Sequence, residues 1–246
     1  MTCGAILLGS APRSTRMHTP HRLLLRIIIA NLVLVGFTVC LGLWKSGNPS
    51  RYFGEGRFTT GASCLQLLAV AACAFGIFMA RRRTIPGSRL IAPTLVWLLV
   101  GVGFVFLACD DAFQIHEDLD HKIQAFFQMR PTALGDHIDD ALIAFYGLIG
   151  LAVLWICRRE VLRFRPEMQA ALVIGFIFLA LSVACDALAG DRGVLLSLGG
   201  DATTAKWLDG WFSAGDGAFM LLGEGSFLAG FYSAWLAARS ARTLPA

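Results

Sequence analysis

Residues 109–121 read CDDAFQIHEDLDH, placing Asp110, Asp111, Glu117, Asp118 and Asp120 beside His116 and His121. Carboxylates and imidazoles are the side chains that move protons and hold cations near neutral pH. The cluster follows a charge-free run, 90–109, of twenty residues. As a helix that run is about 30 Å long, the thickness of bilayer hydrocarbon. Ionisable groups at the end of such a run are costly to bury, which makes a functional site the first hypothesis. On a helix continued through the cluster, Asp110, Gln114, Glu117 and His121 fall on one stripe, and Ala112, Ile115, Leu119, Ile123 and Phe126 fall on the other face. The stripe faces either a shared cavity or solvent, the latter as the wet side of an amphipathic helix.

Geometry limits what the stripe can hold. Asp110 and His121 lie roughly 16 Å apart along a straight helix and cannot share one ion. Glu117 with His121, and His116 with Asp120, are i, i+4 pairs that can. Imidazole with carboxylate suits zinc best; carboxylates alone suit calcium or magnesium. Further ligands must come from other helices, and Asp111, His137 and Asp140 stand on the same side of the membrane. Asp136 reads as an N-cap for the next span. Ser182 precedes Asp186 by one turn, a spacing that suits an activated hydroxyl or a metal-bound water. Asp216 reads as the N-cap of the last span.

Glu224 differs from all of these. It sits in Gly223-Glu224-Gly225-Ser226, roughly 12 Å into the last span, and the flanking glycines let another helix come close. A carboxylate at that depth calls for a proton, an arginine or a coordinated ion. No arginine is expected there, which leaves protonation, coordination or a neutral hydrogen bond between helices.

Elements of one kind must position these groups. The chain is 56 % hydrophobic and 15 % charged, outside the range of soluble domains. Runs with little or no charge recur at 27–44, 58–80, 90–109, 141–157, 168–185 and 217–238, the last interrupted only by Glu224. The expected fold is an all-α polytopic membrane bundle of about six transmembrane helices. Residues 1–21 form a basic cytoplasmic tail, 22–238 the transmembrane domain and 239–246 a second cytoplasmic tail. The short apolar run 5–8 is too small for a leader core. Segment 190–215 reads as a Gly-rich outer loop with Trp207 and Trp211 as interfacial anchors.

Six crossings put fourteen of the twenty-one Lys and Arg residues on one side, which the positive-inside rule makes cytoplasmic. Fifteen of the seventeen acids fall on the other side or in the outer half of the bundle; Glu160 and Glu167 are the exceptions. The net charge of +4 therefore hides a dipolar molecule. Its basic face suits anionic lipid, and no nucleic-acid motif accompanies it. There is no phosphate-binding glycine loop, no GxSxG and no HExxH. Seven cysteines without CxxC spacing suggest neither a disulfide framework nor a thiolate metal site.

The combination of a His/Asp helix, a Ser182–Asp186 pair and a polar cluster at one membrane face resembles the alkaline ceramidase and adiponectin-receptor superfamily of zinc-dependent membrane amide hydrolases. The resemblance implies a zinc ion held by three His with a Ser and an Asp beside it. Asp110 and His121 stand in reverse order to the family's His/Asp helix. That superfamily has seven spans and an HxxxH on the last; this chain has six, and its last offers Glu224. Segment 110–117 also resembles one in uncharacterised bacterial multipass membrane proteins.

Besides a structural or sensor membrane protein whose outer acids bind divalent ions or a partner, two functional classes follow. One is a divalent-metal-dependent hydrolase of a lipid or other amphiphilic small molecule, with Asp110, Asp186, Glu224 and Ser182 in catalysis. Its metal ligands would come from Glu117, His121, His116, Asp111, Asp140 and His137. The other is a small proton- or cation-coupled transporter or ion-binding protein relaying through Asp110, Asp186 and Glu224. Either sits among membrane lipids in a bacterial plasma membrane, with its site facing the periplasm.

Overall fold

The computed structural model describes residues 20–54, 56–84, 94–126, 138–164 and 166–240. Among these the regular elements are all helical: α1 (Pro20–Ser46), α2 (Phe58–Thr84), α3 (Leu95–Phe113), α4 (Ile115–Phe126), α5 (Ile138–Ile156), α6 (Arg158–Val161), α7 (Pro166–Gly190), α8 (Arg192–Gly199) and α9 (Ala202–Ser240). Four of them are long and apolar enough to cross a membrane: Arg22–Ser46, Phe58–Arg82, Leu95–Phe113 and Pro166–Gly190. Leu142–Ile156 in α5 is a shorter apolar stretch. In α9, Glu224, Ser226 and the glycines dilute the apolar run.

The outward-facing surface is what lipid requires. Ile29, Val33 and Phe37 on α1, Leu99 and Val102 on α3, Leu148 and Trp155 on α5, and Val173 and Ile177 on α7 are all exposed. A water-soluble monomer does not carry apolar surface on this scale.

Helix α9 is the hub. It packs against α1, α2, α7 and α8, and the partners along it fix their directions. Ile27 and Asn31 of α1 lie near Gly225 and Leu221, so α1 runs antiparallel to α9. Met168, Gly175 and Ser182 of α7 face Gly230, Gly223 and Asp216, again antiparallel. Trp97 and Phe104 of α3 meet Phe231 and Phe227, also antiparallel. Ser63 and Gly76 of α2 meet Glu224 and Trp235, so α2 runs with α9.

At the α9 C-terminal end an aromatic core forms. Trp97 is fully buried and sits edge-on to Phe164 at 5.0 Å and to Phe231 at 6.1 Å, with Val70, Ile77 and Met168 around it. An ion cluster centred on the buried Glu160 lies beside it. Glu160 accepts from Arg81 through Nε at 2.9 Å and Nη2 at 3.2 Å, from Arg163 Nη1 at 3.0 Å and from Trp97 Nε1 at 3.5 Å.

Two sequence expectations need correction here. Segment 190–215 is helical over most of its length. Asp191 caps α8 by accepting from Gly193 N and Val194 N, and Gly200 closes that helix at φ +74. Asp201 then caps α9 through Thr203 N and Thr204 N, which lowers its carboxyl below the usual range. Asp216 therefore lies inside a helix that began fourteen residues earlier, and does not cap it.

The second correction concerns the stripe. Helix α3 does not continue through the acidic cluster: Gln114 adopts the left-handed conformation (φ 55, ψ 43), its N–H closing on Asp110 O, and α4 starts anew at Ile115. The side-chain register carried from Asp110 to His121 is lost at that residue.

Candidate functional site

The break at Gln114 creates the first contact of the site. It folds α4 back so that His116 Nδ1 lies 2.9 Å from Asp110 Oδ2, both residues buried. A continuous helix cannot pair residues six apart in this way. Asp110 Oδ1 is buried and has no hydrogen-bond partner among the described residues. The carboxylate fixes the orientation of the imidazole through Nδ1.

Neighbouring helices extend the cluster. Adjacent residues of α2 serve adjacent helices: Ser63 donates to Glu224 Oε1 at 2.6 Å, and Cys64 donates to Asp111 Oδ2 at 3.6 Å and Ala108 O at 3.5 Å. Asp111 and Glu224 are within electrostatic range of each other and of the Cys64 thiol. Asp110 acts in the same way on the Tyr146 hydroxyl of α5. Glu224 is 4 % exposed and Ser63 wholly buried. Among the described residues, Ser63 supplies the hydrogen bond to Glu224, and Oε2 is buried without one.

Glycine makes the approach to Glu224 possible. A Cβ on Gly225 would stand 2.9 Å from Ile27 Cγ2 and 3.0 Å from Gln66 Oε1. Without it, Asn31 of α1 reaches Leu221 O at 2.7 Å and exchanges hydrogen bonds with Gln66 at 3.2 and 3.3 Å. This amide network ties α1, α2 and α9 together one turn from Glu224.

The model of the family described as Domain of unknown function (DUF8692) matches residues 27–240. The chain belongs to this family. The matched region opens in α1 and closes on the last residue of α9, so the family domain contains every helix of the cluster. No curated protein and no solved structure matches the chain.

Within this family domain, four expected site residues come together: Asp110, Asp111, His116 and Glu224. Ser182 and Asp186 do not pair as expected. Ser182 Oγ donates to Asp216 Oδ1 at 2.5 Å, across to α9, and Asp186 is half-buried one turn further along α7. The reason is that Ser182 faces the antiparallel α9, where Asp216 stands at its level. Glu117, His121 and Asp140 are placed by backbone on α4 and α5, and their side chains lie outside the described residues, as does His137 altogether. Among the described residues no three His, Cys, Asp or Glu side chains converge to hold one metal ion.

Sequence reasoning missed Ser63, Cys64, Tyr146 and the Asn31–Gln66 pair. A signal existed for two of them: Asn31 and Gln66 are carboxamides inside otherwise apolar runs, where a polar side chain needs an interhelical partner. The Arg81–Glu160 cluster was missed as well, because loop charges read as an orientation signal.

Proposed function

We propose that this chain is a cation- or proton-handling integral membrane protein, of the small coupled-transporter class, whose exchange site is the cluster around Glu224. The buried Oε2 of Glu224, without a hydrogen-bond partner among the described residues, carries this reading. An ionised carboxylate with one lone oxygen in a dry helix interface costs several kcal/mol. A proton or a bound cation removes that cost. Asp110 Oδ1 presents the same need near the membrane boundary. His116 adds an imidazole to Asp110, and Asp111, on Cys64, is within electrostatic range of Glu224.

The arrangement in the membrane is part of the proposal. Six crossings are α1, α2, α3, α5, α7 and 217–238 of α9. Both termini face the cytoplasm of a bacterial cell, and the site opens toward the periplasm. The alternating helix directions support an even number of crossings. The Arg81–Glu160 contact supports it too, since it joins the 2–3 and 4–5 connections at one end, where arginines concentrate.

The test is flux. Proteoliposomes containing the full chain, loaded with a pH-sensitive dye, would be given gradients of Na⁺, K⁺, Mg²⁺ and Ca²⁺ in turn. At least one gradient should move protons, and Glu224→Gln and Asp110→Asn should each abolish the movement. Wild-type protein that moves no protons under any of them would overturn coupling.

A second reading, a divalent-metal hydrolase of a lipid or amphiphile, is favoured by one observation. A carboxylate-held imidazole such as Asp110–His116 is the pattern that orients metal-binding histidines. The described side chains do not by themselves complete a ligand set. Stoichiometric zinc in purified protein, lost in His116→Ala and His121→Ala, would establish this reading over the first.

A further inference from the structure

Outside the cluster, the outer end of the bundle carries a second site of opposite charge. The α1–α2 connection and the start of α9 enclose a cleft of about 730 Å³. Arg51, Arg57, Lys206, Asn48, Ser50 and Trp207 line it. The side of the protein that holds fifteen of seventeen acids by sequence reading thus gathers three cations around one cavity. Among the described residues no carboxylate lines the cleft, and none pairs with Arg51, Arg57 or Lys206. Glu55, in the same connection, lies outside the described residues. Like charges held around a common space repel, and an anion between them converts that repulsion into attraction.

The walls are built in advance. Asn48 Oδ1 accepts from Ser50 N and Oγ, both at 2.9 Å, and Arg57 Nη1 donates to Arg51 O at 3.1 Å. Thr59 and Thr60 bind Tyr52 O and Gly54 O and fasten the connection to the head of α2. The connection sinks against its neighbours because two of them offer glycine. A Cβ on Gly42 would lie 2.6 Å from Asn48 O, and one on Gly210 would lie 2.8 Å from Asn48 Oδ1. Trp207, more than half exposed and set against Trp211 at 5.8 Å, marks the level of the membrane interface.

We infer that this cleft binds a phosphate-bearing anion, with the headgroup of an anionic phospholipid of the outer leaflet as its ligand. Two guanidinium groups and an ammonium match phosphate oxygens in charge and in hydrogen-bond donors. The tryptophan pair suits the glycerol–acyl boundary beside such a headgroup. Binding there braces the α1–α2 connection against the start of α9, and so fixes the outer ends of the helices that carry Ser63 and Glu224.

The test uses the full chain in detergent micelles, titrated with phosphatidylglycerol, phosphatidylcholine or inorganic phosphate, with binding read by native mass spectrometry and thermal shift. Phosphatidylglycerol should bind in preference to phosphatidylcholine. Arg51→Gln with Lys206→Gln should weaken it about thirtyfold, two surface cations each contributing to anionic-lipid attraction. Arg82→Gln with Lys122→Gln, an equal charge loss away from the cleft, should leave it unchanged. Inorganic phosphate that binds as tightly as the lipid, and loses affinity in the same double variant, would uphold phosphate recognition and replace the lipid by a soluble source. Equal binding of phosphatidylcholine, or an equal loss in both double variants, would overturn the assignment.

Discussion

Replacing Arg81 by alanine should destabilise the protein far more than replacing Arg163, although both contact the same carboxylate. Glu160 has a side chain 1 % exposed and depends on these donors for its burial. Arg81 grips both oxygens with a side chain 26 % exposed, whereas Arg163 touches one and is 60 % exposed. Breaking a buried pair and stranding its partner costs about 3–5 kcal/mol. Partial access of Arg81 to water puts its removal near the lower end, about 3 kcal/mol. A solvated pair such as Arg163–Glu160 contributes no more than about 1 kcal/mol. Glu160→Gln keeps an oxygen acceptor and leaves the unpaired charge on Arg81, which reaches water, so it should cost about 1–2 kcal/mol. Reversible unfolding in mixed micelles, followed by circular dichroism for the three variants, measures the order. Equal losses for Arg81→Ala and Arg163→Ala, or losses all within about 0.5 kcal/mol of wild type, would refute the reasoning.

Two further substitutions test the backbone that builds the site. Gln114→Gly should stabilise the protein by about 1 kcal/mol, because it relieves a left-handed non-glycine residue, whereas glycine inside a continuous helix would cost about the same amount; unfolding free energies read the sign. Gly225→Val should cost about 1–3 kcal/mol by forcing α1 and α2 away from α9, while Gly36→Val, with open space around it, should stay within about 0.5 kcal/mol in the same assay.

The gross architecture was readable because lipid imposes simple rules. Charge-free runs of fixed length give helices. Glu224 was identifiable for the same reason, since an acid flanked by glycines deep in an apolar run demands an explanation. What the sequence concealed depends on single dihedrals and on helix neighbours. The stripe from Asp110 to His121 was read through a helix that stops at Gln114, a residue with no turn signature, so the pairing of Asp110 with His116 could not be foreseen. The Ser182–Asp186 spacing was a sound helical pair, yet its hydroxyl is taken by Asp216 of α9, a contact that only packing defines. Asp191 and Asp201 cap helices in a segment whose glycines suggested a loop, because each carries two amides on its carboxylate. Ser63 carries no signal of its own in an apolar run, and its importance comes from standing opposite Glu224.

The central claim is that Glu224 exchanges a proton or a cation. Infrared difference spectroscopy of the full chain in liposomes, recorded across a pH step and on adding the coupling cation, observes that carboxyl directly. The account predicts a protonated-carboxyl carbonyl band that disappears in Glu224→Gln, is displaced by the cation, and shifts when Ser63→Ala removes its hydrogen bond. A wild-type spectrum that Glu224→Gln leaves unchanged, with no carboxyl response to either pH or cation, would contradict it.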